Sequence, residues 1–181
     1  MLHQELIETA LSCGATKATV IETSQVVLSK EFLNMCAANS CGYYNKCWMC
    51  PPDIGDIDEL MNQVRQYSYG LWYQTIGELE DSFDIEGMGE AADEHLKLSL
   101  KLQEAVKPML NTPFLHLSKG GCHICPTCAK RTNEPCRFPD KALSSLEAHG
   151  VDVYQTTQST DLKYINGPNT VTYFGMVLFN E

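Results

Sequence analysis

Nine of the 181 residues are cysteine, and eight of these fall in two groups. Cys122, Cys125 and Cys128 form a C-x2-C-x2-C run, and Cys136 follows after seven residues, in a stretch punctuated by Gly120, Gly121, Pro126 and Pro135. A cubane iron–sulfur cluster needs several thiolates around one compact core, and closely spaced cysteines in an irregular loop can wrap it while backbone N–H groups point at the sulfurs. Structural zinc more often draws two cysteines from each of two separated pairs, which leaves zinc as the alternative for this group. The other group is Cys36, Cys41, Cys47 and Cys50, spaced x4, x5 and x2, and it ends in Cys50-Pro51-Pro52, comparable to the Cys-Pro that closes many ferredoxin ligand sets. These four either hold their own metal or exchange ligands with the C-x2-C-x2-C group, as two-cluster ferredoxins do. Cys13 stands alone on an expected helix and reads as a small buried hydrophobe.

The residues around the two groups are less decisive. Tyr43, Tyr44 and Trp48 accompany the first, where rings exclude water and tune a potential but serve equally as filler. Lys119, Lys130, Arg131 and Arg137 are the local basic excess around the second, suited to offsetting cluster charge or to docking an acidic partner. His123 reads as a part-exposed loop histidine. Glu147, His149, Asp140 and Asp152 follow downstream, but Glu147 and His149 are two apart on an expected helix and so point in different directions. There is no Ser/His/Asp triad, P-loop or Rossmann glycine pattern.

These loops need a scaffold, and the chain can build one. With 44% hydrophobic and 20% charged residues it buries enough apolar side chain to offset ordering entropy, and its length suits a single domain over 1–181. A net charge of −10 repels phosphate backbones and anionic headgroups, so neither nucleic acid nor membrane is expected as a partner. The segment 1–14 carries Glu5 and Glu8 where an export signal needs a basic start, so the expected compartment is the cytoplasm, where clustered thiols are metal ligands or redox groups.

Periodicity predicts a helix over 3–12 with Gly14 as its C-cap, strands over 18–21 and 26–28, and a short helix capped by Ser29 and running toward Met35. A helix over 56–67 leads into a strand over 70–76, an acidic loop covers 78–89, and a long amphipathic helix covers 90–110. A strand over 114–117, a helix over 141–149 and strands over 151–157 and 171–179 complete the pattern. The expected class is α/β: a small mixed sheet flanked by helices, with two irregular cysteine-rich metal-binding loops at 36–55 and 119–140.

The stretch Cys122-His-Ile-Cys-Pro-Thr-Cys, then Glu134-Pro-Cys-Arg-Phe-Pro-Asp-Lys-Ala and Ser145-Leu-Glu-Ala-His-Gly-Val-Asp-Val153, resembles the predicted metal-binding family called domain of unknown function 2284. Cys47-Trp-Met-Cys-Pro-Pro52 is similar to that family's earlier cysteine block. The resemblance implies a cysteine-bound metal centre and supports Cys36, Cys41, Cys47, Cys50, Cys122, Cys125, Cys128 and Cys136 as ligands. It implies no particular reaction.

The expected function is an oxygen-sensitive iron–sulfur protein with one or two [4Fe–4S] clusters, acting in electron transfer with a redox partner protein. Its rivals are an enzyme in which an open cluster iron acts as a Lewis acid or sulfur acceptor, and a zinc module that stabilises an interaction surface.

Overall fold

The computed structural model describes residues 1–181. Five strands, β1 (Lys17–Glu22), β2 (Tyr69–Glu78), β3 (Leu115–Ser118), β4 (Ser144–Ser145) and β5 (Thr170–Phe179), form one mixed sheet in the order β1-β2-β5-β3-β4. All neighbours are antiparallel except β3 and β4, where Leu117 lies opposite Ser144 and Ser118 opposite Ser145 in a parallel pairing. The α/β class with a small mixed sheet flanked by helices is therefore observed.

β2 is buried on both faces because helices and turns cover each side, and its alternating residues divide between two cores. Leu71 and Tyr73, with Val177 and Phe179 of β5, pack against α1 (Leu2–Cys13) and α4 (Ile85–Val106). Trp72, with Phe174, Met176 and Leu178 of β5, faces Val64 of α3 (Ile57–Arg65) and Val153 of α5 (Val153–Thr157). Between β2 and β5, Gly175 lies under the Tyr73 ring, and a Cβ there would overlap the phenol. Asp56 caps α3 by accepting the N–H groups of Asp58 and Glu59, at 2.9 and 3.3 Å.

Four sequence expectations are corrected. Residues 26–28 form no strand; a 3-10 turn over Thr23–Gln25 redirects the chain, and only Leu28 makes an isolated bridge, to Val151. The long helix starts at Ile85 rather than at 90, because Asp84 accepts the Gly87 N–H at 2.8 Å and caps a first turn that two glycines had disguised as loop. The helix expected over 141–149 is replaced by β4 and a 3-10 turn over Glu147–His149, since the open edge of β3 captures Ser144 and Ser145. The strand expected over 151–157 is helix α5, started by Asp152, which accepts the Gln155 N–H at 2.9 Å. The capping carboxylate outweighed the Val151/Val153 alternation. Ser29 does meet the start of the short helix, accepting the Glu31 N–H at 3.2 Å, and that helix is α2 (Glu31–Ala37).

This topology places both cysteine groups at one edge of the sheet. The chain leaves β3 at Ser118, makes the excursion 119–143, and returns in register as β4. The loop 36–55 is turns beyond the end of α2 and is held to β4 where Ser144 Oγ donates to the Met49 carbonyl at 3.0 Å. The excursion contains only one regular piece, a 3-10 turn over Ala129–Thr132, closed by Asn133 in the left-handed region. No helix is long and apolar enough to cross a membrane.

Candidate metal centre

The structure regroups the cysteines. Cys122, Cys125, Cys128 and Cys136 line one pocket together with Cys47, which the sequence had placed in the other group. Cys36, Cys41 and Cys50 line a different pocket. Cys47 and Cys50 link the two pockets: they sit three apart in one turn, where the Cys50 N–H donates to the Cys47 carbonyl at 3.0 Å, each lines a different pocket, and their thiols are hydrogen-bonded to each other. Cys13 lies elsewhere, beside Thr16 and Thr75 under α4, and joins neither.

Five thiols therefore meet where the loops touch. Cys47 is fully buried. Hydrogen bonding from the Cys50 thiol holds its pKa down to about 6 against the opposing effect of burial, helped by the N–H groups of Met49 and Cys122 and by the Cys128 thiol. Cys50 is pushed up, first by its bond to Cys47 and then by burial. Cys122 is also raised by burial, although the N–H groups of Ile124 and Leu143 point at its sulfur and favour the thiolate. Backbone donors aimed at sulfur are what a loop wrapped around a thiolate cluster supplies.

The space between these five side chains is about 20 Å³, close to a single water-sized sphere. No three His, Cys, Asp or Glu side chains surround a common point as a single ion demands. Five thiols lining one pocket are enough to supply the four thiolates that either a cysteine-bound zinc or an iron–sulfur cluster takes.

The two loops are pinned together by groups that are not cysteines. Lys130 pairs with Asp53, both side chains less than one-fifth exposed, and the Lys130 ammonium lies 4.5 Å from the centroid of the Trp48 ring. Trp48 Nε1 donates to the Glu134 carbonyl at 2.9 Å. Tyr43 packs flat on Gly121, where a Cβ would meet its ring, and its hydroxyl lies 3.2 Å from His123 Nδ1. Trp48 and Tyr43 are therefore braces between the loops. The basic excess is largely committed as well, because Arg137 pairs with Glu134 at 3.5 Å and donates to the Thr127 carbonyl at 3.0 Å. Lys119 lies over the Tyr173 ring at 5.5 Å, away from the thiols.

Glu147, expected on a helix with its side chain pointing in a different direction from His149, lies instead on the 3-10 turn and lines the pocket of Cys36, Cys41 and Cys50. His149 is buried with Nδ1 unpartnered, Asp152 is spent as the α5 cap, and Asp140 is exposed, with its backbone carbonyl accepting from Gln103 Nε2 at 3.0 Å. No sequence signal marks Asp53 as the partner of Lys130, since the two are 77 apart.

Comparison with known proteins agrees with the donor chemistry. Neither a curated protein nor a solved structure matches the chain. The family model described as a predicted metal-binding protein, domain of unknown function 2284, matches residues 19–179, so the chain belongs to that family.

Proposed function

We propose that the protein carries a [4Fe–4S] cluster in the five-thiol pocket and moves electrons to and from a redox partner protein. Cys122, Cys125 and Cys128 supply three ligands, and Cys47 or Cys136, which both line the pocket, supplies the fourth. The observation that carries this reading is the convergence of five thiols from two loops on one pocket whose other lining is almost wholly apolar. When bound, the cluster supplies a one-electron couple. The chain's own residues hold it, exclude water through Trp48, Ile124 and Ala129, and bring it close to the surface. Phe138, on the rim of the pocket, is 45% exposed, which leaves a short path to a docked partner.

Anoxically prepared protein is expected to show a reversible one-electron wave by voltammetry and, once reduced with dithionite, a low-temperature EPR signal. Protein that holds its metal but shows neither wave nor signal contradicts the reading in favour of structural zinc.

A further inference from the structure

The second pocket is unlike the first. It is open and has a volume of about 390 Å³, within the range of small-molecule sites. One wall is α2, where Phe32, Met35 and Cys36 recur at helical spacing and so share a face. A helix seated on a core buries such a stripe, yet α2 has no buried residue and Met35 is 65% exposed. The loop supplies Tyr44 and Pro51. The thiols of this pocket do not converge: that of Cys50 is hydrogen-bonded to Cys47, and no three Cys or Glu side chains surround a common point. They act as soft, polarisable wall. Glu147 is the one carboxylate in the lining, and no Lys, Arg or His stands there to neutralise it. Burial pushes its pKa up, while the Ser145 hydroxyl and the N–H of Glu147 itself favour the ionised form. Ser145 is fixed by β4 pairing and by accepting the Ala148 N–H at 3.0 Å, which leaves its hydroxyl proton for the carboxylate.

We propose that this pocket binds an organic ammonium ion, a primary amine on an apolar or aromatic body, with the amine paired to the Glu147 carboxylate and the body lying against Phe32, Met35 and Tyr44. The charge of the ligand follows from the lining. An anion would meet a carboxylate and no cation, in a chain of net charge −10. A wholly apolar molecule would take water from the carboxylate and give it no partner. A protonated amine avoids both penalties. It donates a charge-assisted hydrogen bond to the carboxylate, and the rings of Phe32 and Tyr44 attract a cation over their faces. Its apolar body covers the stripe that α2 leaves exposed, which removes that surface from water. None of these contacts is a thiol, so the site does not depend on which metal the first pocket carries.

The test titrates metal-loaded full-length protein by calorimetry at neutral pH with phenethylamine, whose amine is then protonated, and with two molecules of similar size, neutral phenethyl alcohol and anionic hydrocinnamate. Phenethylamine is expected to bind about tenfold or more tightly than the alcohol, the worth of a hydrogen bond to a charged group, and hydrocinnamate is expected not to bind. Glu147→Gln is expected to bring the amine down to the affinity of the alcohol and to leave the alcohol unchanged, with metal content and circular dichroism reporting that the variant is folded. Met35→Ala is expected to weaken both. In wild type, saturating phenethylamine is expected to slow alkylation of the exposed Cys41 by iodoacetamide, read by peptide mass spectrometry, and to leave the rate at Cys13 unchanged. Equal affinity for amine and alcohol, or amine binding undiminished in folded Glu147→Gln, overturns the pairing with the carboxylate. Tighter binding of hydrocinnamate overturns the charge of the ligand. Binding of none of the three, or alkylation of Cys41 that ignores the amine, overturns the pocket as the site. If Glu147→Gln loses its fold, the three-ligand comparison and the protection of Cys41 in wild type still decide.

Discussion

Residue identity at the loop contact makes separable predictions. Cys125→Ala is expected to lose bound iron and to fall in Tm, whereas Cys13→Ala, a half-buried side chain away from both pockets, is expected to keep full iron content and change stability only by a small packing effect. Metal analysis of the two variants side by side checks the assignment. The Asp53–Lys130 pair is a second case. Removing one charge from this part-buried pair leaves the other without its partner, which costs about 1–3 kcal/mol. Lys130→Met is therefore expected to lower the denaturation midpoint markedly, and the double variant Asp53→Leu/Lys130→Met to recover most of that loss in urea unfolding. At this scale the sequence was informative where spacing was local. The C-x2-C-x2-C run marks its three cysteines without help, but Cys47 belongs with them only because Ser144 anchors Met49 to the sheet edge, a contact across 95 residues that no spacing encodes.

Elements add a polar seam between the sheet and α4 that bears on stability. The buried Tyr73 hydroxyl lies 2.8 Å from Ser99 Oγ and 2.7 Å from His116 Nε2, and Ser99 reaches Ser118 at 2.9 Å. His95 Nε2 lies 3.1 Å from the Phe174 carbonyl, so Nε2 carries the proton and donates to it, and Nδ1 accepts from Thr75 Oγ1 at 2.7 Å. Burial lowers the His95 pKa to about 4 and the His116 pKa to about 3, with Lys119 adding to the effect on His95. Both histidines titrate near 6.5 when unfolded, so below that pH the unfolded chain binds more protons and stability falls. Stability contributed by keeping them neutral is fully present above about pH 6.5 and is lost as pH drops toward 4, at about 1.4 kcal/mol per pH unit for each histidine. Thermal unfolding of metal-free protein from pH 7.5 to 4.5 is expected to show this slope, reduced in His116→Gln; a flat profile contradicts the burial of these rings as neutral groups. Sequence periodicity located α1, α3, β2 and β5 because each has a strong repeat and, in α1 and α3, a capping residue. It failed over 141–157, where Leu143, Leu146, Val151 and Val153 fit more than one period and β3 and Asp152 decided the outcome.

Across the whole molecule, two helix-covered cores make a rigid sheet, and the metal chemistry is hung from its β3–β4 edge in loops with little regular structure. Such loops gain order from the ligands they bind, so metal loading and stability are coupled. Chelation under anoxic conditions is expected to lower Tm and to raise amide exchange in 36–55 and 119–140 while leaving β2 and β5 protected; uniform loss of protection contradicts a scaffold independent of the metal. The net charge of −10 disfavours polyanions, and with Lys130 and Arg137 already paired within the loops the redox partner we propose is expected to present positive charge. The central claim is that the five thiols hold iron and sulfide. It is tested most directly by measuring iron, zinc and acid-labile sulfide per chain in anoxically purified protein, together with its visible spectrum. The account predicts brown protein with iron and sulfide in equal amounts, at least about four of each per chain, and bleaching in air. Colourless protein that holds stoichiometric zinc and keeps it in air contradicts it.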